Sequence, residues 1–543
     1  MMNKAFFLIL LAWIIVPCLS PAEADQSTGE QLIPQLFETS DRCLACHNGL
    51  TTPTGNDVSI GSNWQASMMA NASRDPYWHA AVRRETMDHP EAQGHIQNEC
   101  AACHMPMARF EAHARGEETE VFTHLPALPD RDITDRLSAD AVSCTLCHQI
   151  QAQKLGTEES FTAGFVVDTQ KPFGQRSVFG PFDVDAGRTR VMQSSGLFIP
   201  KKGNHIQDSG LCGSCHTLYT HTLGPGGEGL GSLPEQVPYL EWEHSRYYQE
   251  QSCQSCHMPQ IEEPMPITSV LGHPRDALSR HAFRGGNFFM LNMLKDNAAP
   301  LAVTASPEDL AGSAAETVAN LKTAAARVSI EDVGVSEGAL EIAVSIRNLA
   351  GHKLPTAYPS RRVWIHLRVQ NHKEETIFES GALRPDGSIV GNDNDRDQGS
   401  YEAHHSLIES AEQVQIYEAI MADPNDSVTT GLLTALRYVK DNRILPEGFM
   451  KETASKDVTP HGRGKTDEDF QGGGDQIRYR INVDASQGPF NIQAELWYQP
   501  ISFRWAKNLT QHQAPEIQRF GAYYDVMSDS SATLLARDSR TVP

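Results

Sequence analysis

Five copies of one short pattern hold nearly all the cysteine of this chain: CLACH (43–47), CAACH (100–104), CTLCH (144–148), CGSCH (212–216) and CQSCH (253–257). Cys18 alone lies outside them, and no cysteine follows Cys256. A disulfide framework does not require a histidine after every second cysteine. A thioredoxin-like redox site uses one Cys-x-x-Cys, and zinc sites consume such pairs two at a time, so five copies fit neither. Covalent haem attachment accounts for every position. Two thiols add across the two vinyl groups of one haem, the two-residue spacer spans their separation in one turn, and the adjoining imidazole becomes the proximal iron ligand. The pattern predicts five covalently attached c-type haems. They would be held by Cys43, Cys46, Cys100, Cys103, Cys144, Cys147, Cys212, Cys215, Cys253 and Cys256, with His47, His104, His148, His216 and His257 as proximal ligands.

The second axial position of each iron decides its chemistry. A His or Met closes it for electron transfer, and an empty position opens it to a substrate. Seventeen histidines remain after the five proximal ones, ten of them between residues 25 and 300. His281, in SRHAFRGGNFF, sits beside small residues that let backbone approach a flat macrocycle. His205 precedes the fourth motif. His89, His79 and His244 complete the candidates in this half, each with a surface or propionate-binding role as the alternative. Met68 or Met69 could supply a thioether, although methionine is more often core filler.

The first cysteines of successive motifs are 57, 44, 68 and 41 residues apart, too irregular for a solenoid repeat. About fifty residues per haem leaves little chain for a polypeptide core, so the macrocycles must supply much of the buried apolar surface and neighbouring haems must pack closely. Residues 306–328 carry helix signals: Ser306 to cap, Pro307 for the first turn, and Leu310, Ala314, Val318 and Leu321 on one face. Beyond them the apolar period changes to two, at Leu340–Ile346, Val363–Val369, Ile477–Ile481 and Ile492–Tyr498. That alternation predicts half-buried antiparallel strands and a sandwich-like all-β region. Residues 430–440 read as a helical insertion or a loop. The expected fold class is therefore mixed: a mainly α, loop-rich multihaem domain at 25–300, a helical connector at 301–328, and a β-sandwich-like domain at 329–543.

Two features of the β region bear on cofactors. His352, in a Gly/Pro-framed turn, either reaches back to close a haem or is a turn residue. Asp393, Asp395 and Asp397 alternate in GNDNDRD, with Glu402 following, a spacing that could suit Ca²⁺ as well as a solvated acidic loop.

At the N-terminus, Lys4, the apolar run 5–16 and AEA at 22–24 read as a secretory signal peptide over residues 1–24, with an uncleaved anchor as the alternative. A mature chain that is periplasmic or extracellular, with no stable membrane span, is the expectation. The 45 Lys+Arg against 68 Asp+Glu leave a formal charge of −23, which argues against nucleic acid and against an anionic lipid surface as the main partner.

The first 300 residues resemble the multihaem c-type cytochromes of the cytochrome c552/c554 group. The likeness rests on the five motifs, on CHMP at 103–106 and 256–259, and on HAFRGGN. GHKLPT followed by RRVWIHLRV is similar to β-rich tails attached to such cytochromes. The resemblance implies an electron carrier working with redox partner proteins. Its relatives include reductases of nitrogen and sulfur oxyanions, and pentahaem nitrite reductases usually carry Lys for one proximal His, whereas all five motifs here keep His. The expectation is a carrier with no catalytic residues of its own. A reductase with one open iron and a subunit of an extracellular cytochrome filament are the alternatives.

Overall fold

The computed structural model describes residues 35–128 and 132–543; the segment read as a signal peptide lies outside them. Before residue 300 the helices are short. The longest, Pro76–Asp88, starts where the Asp75 carboxylate accepts from the Tyr77 and Trp78 amides and Pro76 occupies the first turn. The motifs at 144–147 and 253–257 are themselves isolated helical turns. A two-stranded hairpin, Leu218–Leu223 with Gly229–Gln236, follows the fourth motif.

The helix after residue 300 spans Pro307–Ala324, capped by the Ser306 hydroxyl accepting from the Asp309 amide. Leu310, Ala314 and Leu321 are buried along it. It stops short of residue 328 because Ala326 already begins a strand that pairs with Ala339–Asn348. One sheet runs in the order Ala326–Ser336, Ala339–Asn348, Gly474–Asn482, Leu407–Ile408, antiparallel except for the last pair. Its register sets Leu340 against Ile481, Ile342 against Tyr479 and Val344 against Ile477, so alternate residues line one face. A second sheet runs Ile416–Tyr417, Arg362–Gln370, Phe490–Gln499, Thr533–Val542, with Thr376–Ser380 also pairing to Arg362–Gln370. Val363, Ile365, Leu367 and Val369 face Tyr498, Leu496, Ala494 and Ile492 across its centre. The inner faces of both sheets belong to one apolar cluster. The cluster also takes in Tyr77, Ala80, Leu233, Val237 and the helix Phe288–Asp296 from the motif-bearing half. The protein is thus of mixed α and β class, with a core that passes from one half into the other.

Residues 430–440 depart from the helical reading. Arg437–Asp441 is a strand, paired with Ala419–Ala422, which also pairs Val428–Thr429. An available strand edge satisfies this backbone in the ladder, which overrides a local apolar spacing that fits a helix.

Candidate functional site

Each motif is a single helical turn. The His47, His148 and His216 amides donate to the carbonyls of Cys43, Cys144 and Cys212, at 2.9, 3.1 and 2.8 Å. The other two motifs lie within the helices Gln93–His104 and Cys253–His257. One turn brings positions i, i+3 and i+4 to one face, so both thiols and the imidazole of each motif point the same way.

All five faces open into one cavity of about 1450 Å³, lined by every motif cysteine and every motif histidine. That exceeds the roughly 300–1,000 Å³ of an ordinary small-molecule pocket. Neighbours in the cavity are not neighbours in the chain. The Cys43 and Cys144 thiols lie near enough to perturb each other, placing the first motif beside the third. Cys212 and Cys253 likewise perturb each other, placing the fourth motif beside the fifth. No disulfide joins any of the ten motif cysteines.

The motif histidines are oriented from behind. His47 Nδ1 donates to the Ile267 carbonyl at 2.7 Å, His104 Nδ1 to Ala72 at 2.8 Å, His148 Nδ1 to Phe179 at 2.6 Å, and His257 Nδ1 to Arg284. A carbonyl on Nδ1 fixes the tautomer and leaves Nε2 as the ligating nitrogen. His104 also stacks flat on Trp78, with ring centres 4.3 Å apart. Burial lowers the His104 and His216 imidazoles to about 4, which keeps them neutral, the form that binds iron.

The six non-motif histidines singled out in the sequence separate clearly. His281 and His352 line the cavity. The His281 ring centre lies 6.3 Å from that of His148 at 22° between planes, and His352 stands at 6.3 Å and 22° from His257. Two imidazoles trans on one metal, with bonds of about 2.0 Å and about 1.1 Å from nitrogen to ring centre, have centres about 6.2 Å apart. Both observed pairs match that span. Nδ1 of His281 is engaged by the Ser279 carbonyl at 3.2 Å and Nδ1 of His352 by Lys353 at 2.9 Å. The residues present therefore fit the group that the motifs imply.

The other four candidates are held by protein partners outside the cavity lining. His79 has both nitrogens taken, Nε2 by the Ser73 carbonyl at 2.8 Å and Nδ1 by Arg519 at 2.9 Å. In His244, Nδ1 donates to Leu240 at 2.8 Å and Nε2 accepts from the Ser455 amide at 3.3 Å. His205 Nε2 donates to Ile150 at 2.9 Å, and His89 Nε2 lies 3.3 Å from the Thr434 hydroxyl. Three histidines not singled out in the sequence, His95, His221 and His273, do line the cavity, as do Met68 and Met69. No local motif marks those three; their shared property is position on the cavity wall.

The calcium reading of 393–397 is not supported. The Asp395 carboxylate accepts from buried Arg362 at 2.9 Å and from the Ile389 amide at 2.8 Å. Asp397 instead bonds Ser400 and Gly399, and Glu402 pairs with His405. Among the described residues no group of three or more His, Cys, Asp or Glu side chains is gathered to hold a metal ion. A guanidinium satisfies the carboxylate that would have led the site.

The fold is similar to that of the crystal structure of a penta-heme cytochrome c552 from Thermochromatium tepidum. The match covers 94% of this chain and 100% of that one, with a TM-score of 0.52 and 16% sequence identity. No family model matches the chain, and no curated protein matches it. Among the described residues no helix is long and apolar enough to cross a membrane.

Proposed function

We propose that this chain is an exported pentahaem c-type cytochrome that transfers electrons between redox partner proteins. The observation that carries this reading is the cavity, lined by all fifteen attachment and proximal residues and by five further histidines: His95, His221, His273, His281 and His352. Ten imidazoles are the number required to fill both axial positions on five irons. When bound, the haems would supply one-electron redox centres. The cysteines anchor them, and the backbone carbonyls behind His47, His104, His148 and His257 set the imidazole orientation. His148 with His281 would hold one iron and His257 with His352 another, and His95, His221 and His273, which line the same cavity, would supply imidazoles for the rest. The shared fold of a penta-heme cytochrome c552 supports the same reading. The division into a haem domain at 25–300, a connector at 301–328 and a β domain at 329–543 belongs to it. All ten motif cysteines precede His257, and the larger sheets begin at Ala326.

Intact mass of the mature protein tests attachment and export together: a chain starting at Asp25 and carrying five haems is expected, and fewer haems would mean an unused motif. CO added to the reduced protein tests closure. No Soret shift is expected. Stoichiometric CO binding at one iron, with turnover of a nitrogen or sulfur oxyanion, would replace the carrier by a reductase; long polymers in negative-stain micrographs would favour the filament subunit.

A further inference from the structure

The turn that presents His352 is fixed by an unusual concentration of buried charge. Glu241, in the helix Pro238–Glu243, is fully buried. One of its oxygens lies 3.1 Å from an Arg443 guanidinium nitrogen. The other accepts from the Lys353 amide at 3.1 Å and from the Thr356 hydroxyl at 2.5 Å. Arg443 in turn grips Asp441 with two nitrogens, at 2.9 and 2.8 Å. The Lys353 ammonium completes the group by donating to Asp441 at 2.6 Å. Two cations meet two carboxylates with side chains at most 6% exposed.

The connectivity of this group is specific. Lys353 is the residue after His352, and its carbonyl accepts from His352 Nδ1. On the other side of His352, its own carbonyl accepts from Asn348 Nδ2 at 2.9 Å, and Leu354 exchanges two 2.9 Å backbone bonds with Ile444. Glu241 belongs to the motif-bearing half, in a helix whose Tyr239 ring packs on Gly213 of the fourth motif; a Cβ at Gly213 would lie 2.8 Å from it. The quartet therefore ties the His352 turn to the fourth motif while His352 faces His257 of the fifth. Buried charge is a poor way to gain stability, since apolar residues of similar volume do as well or better, but it does fix one arrangement, because any other leaves an unpaired charge.

We propose that Glu241, Arg443, Asp441 and Lys353 form a positioning device that holds the His352 imidazole on the iron of the fifth-motif haem. This rests on His352 being that ligand, and the test separates the two claims. The ferric low-spin EPR spectrum of the full holoprotein is recorded for wild type, His352→Ala, Glu241→Gln and Thr356→Val. Loss of one of five low-spin components, with CO binding rising from none to one per chain, is expected for His352→Ala. If that component persists, the ligand assignment itself fails. Glu241→Gln keeps shape but removes the charge that holds the Lys353 amide and Arg443. It should shift or broaden the same component and leave the other four unchanged. An unchanged component in Glu241→Gln, beside its loss in His352→Ala, overturns the positioning role. Should Glu241→Gln fail to retain five haems, Thr356→Val, which removes one hydrogen bond to the same carboxylate, decides by the same criterion.

Discussion

Replacing His281 by alanine should open one iron and only one. Its ring centre stands 6.3 Å from that of His148, a span that two axial imidazoles fill and an alanine methyl does not. The nearby His47 is committed to its own motif with Nδ1 on the Ile267 carbonyl, and His205 is tied through Nε2 to Ile150. One open iron among five means that CO binding to the reduced protein should rise from none to one per chain, one fifth of the haem. The ferric protein should gain a high-spin signal integrating to the same fraction. Added imidazole should restore the low-spin state, because the space that opens is the size of the lost ring. Burial lowers the His281 imidazole to about 3, so it is neutral throughout the range from about pH 5 to 9, and the wild-type spectrum should not change across it. The assay is a CO titration of the dithionite-reduced protein, with haem content measured separately. An unchanged Soret band in a variant that retains five haems would refute the assignment. An amplitude of two fifths or more would show that His281 supports the packing of a neighbouring site rather than one iron.

Arg362→Met should destabilise the fold by about 3–5 kcal/mol, because it leaves the Asp395 carboxylate buried without its partner. The double variant Arg362→Met/Asp395→Asn should lose less than the two single variants together in urea denaturation, and a loss equal to their sum would show that the pair is not coupled. Asp475 is buried and receives the Tyr417 hydroxyl at 2.7 Å; burial raises its carboxyl from 3.8 to about 7. A carboxyl raised on folding binds its proton more tightly in the native state, so its stabilising effect is complete below about pH 4 and is lost as pH rises through about 7. Asp475→Asn should flatten that part of the melting-temperature profile, and an unaltered slope between those pH values would reject the shift.

The local chemistry of this protein was open to reading in one dimension. Two thiols and an imidazole at i, i+3 and i+4 meet within a single helical turn, so the spacing alone places them together wherever the turn lies. The strands at Ala339–Asn348, Arg362–Gln370, Gly474–Asn482 and Phe490–Gln499 were legible for a similar reason, because a half-buried sheet imposes a period of two on its own residues. The cap at Ser306 likewise needs only the amide three residues on. What the tertiary structure decided is which distant groups meet. His281 is the strongest candidate in the sequence and does line the cavity, but His79 and His205, also candidates there, have ring nitrogens taken by Ser73 and Arg519 and by Ile150 and are not in the lining, while His95, His221 and His273 reach it with no neighbouring pattern to announce them. Asp395 sits in a metal-like spacing, and Arg362 claims it from another strand. A second partner is chosen by the packing of segments far apart in the chain, and its position depends on all the contacts between them rather than on the few residues beside it.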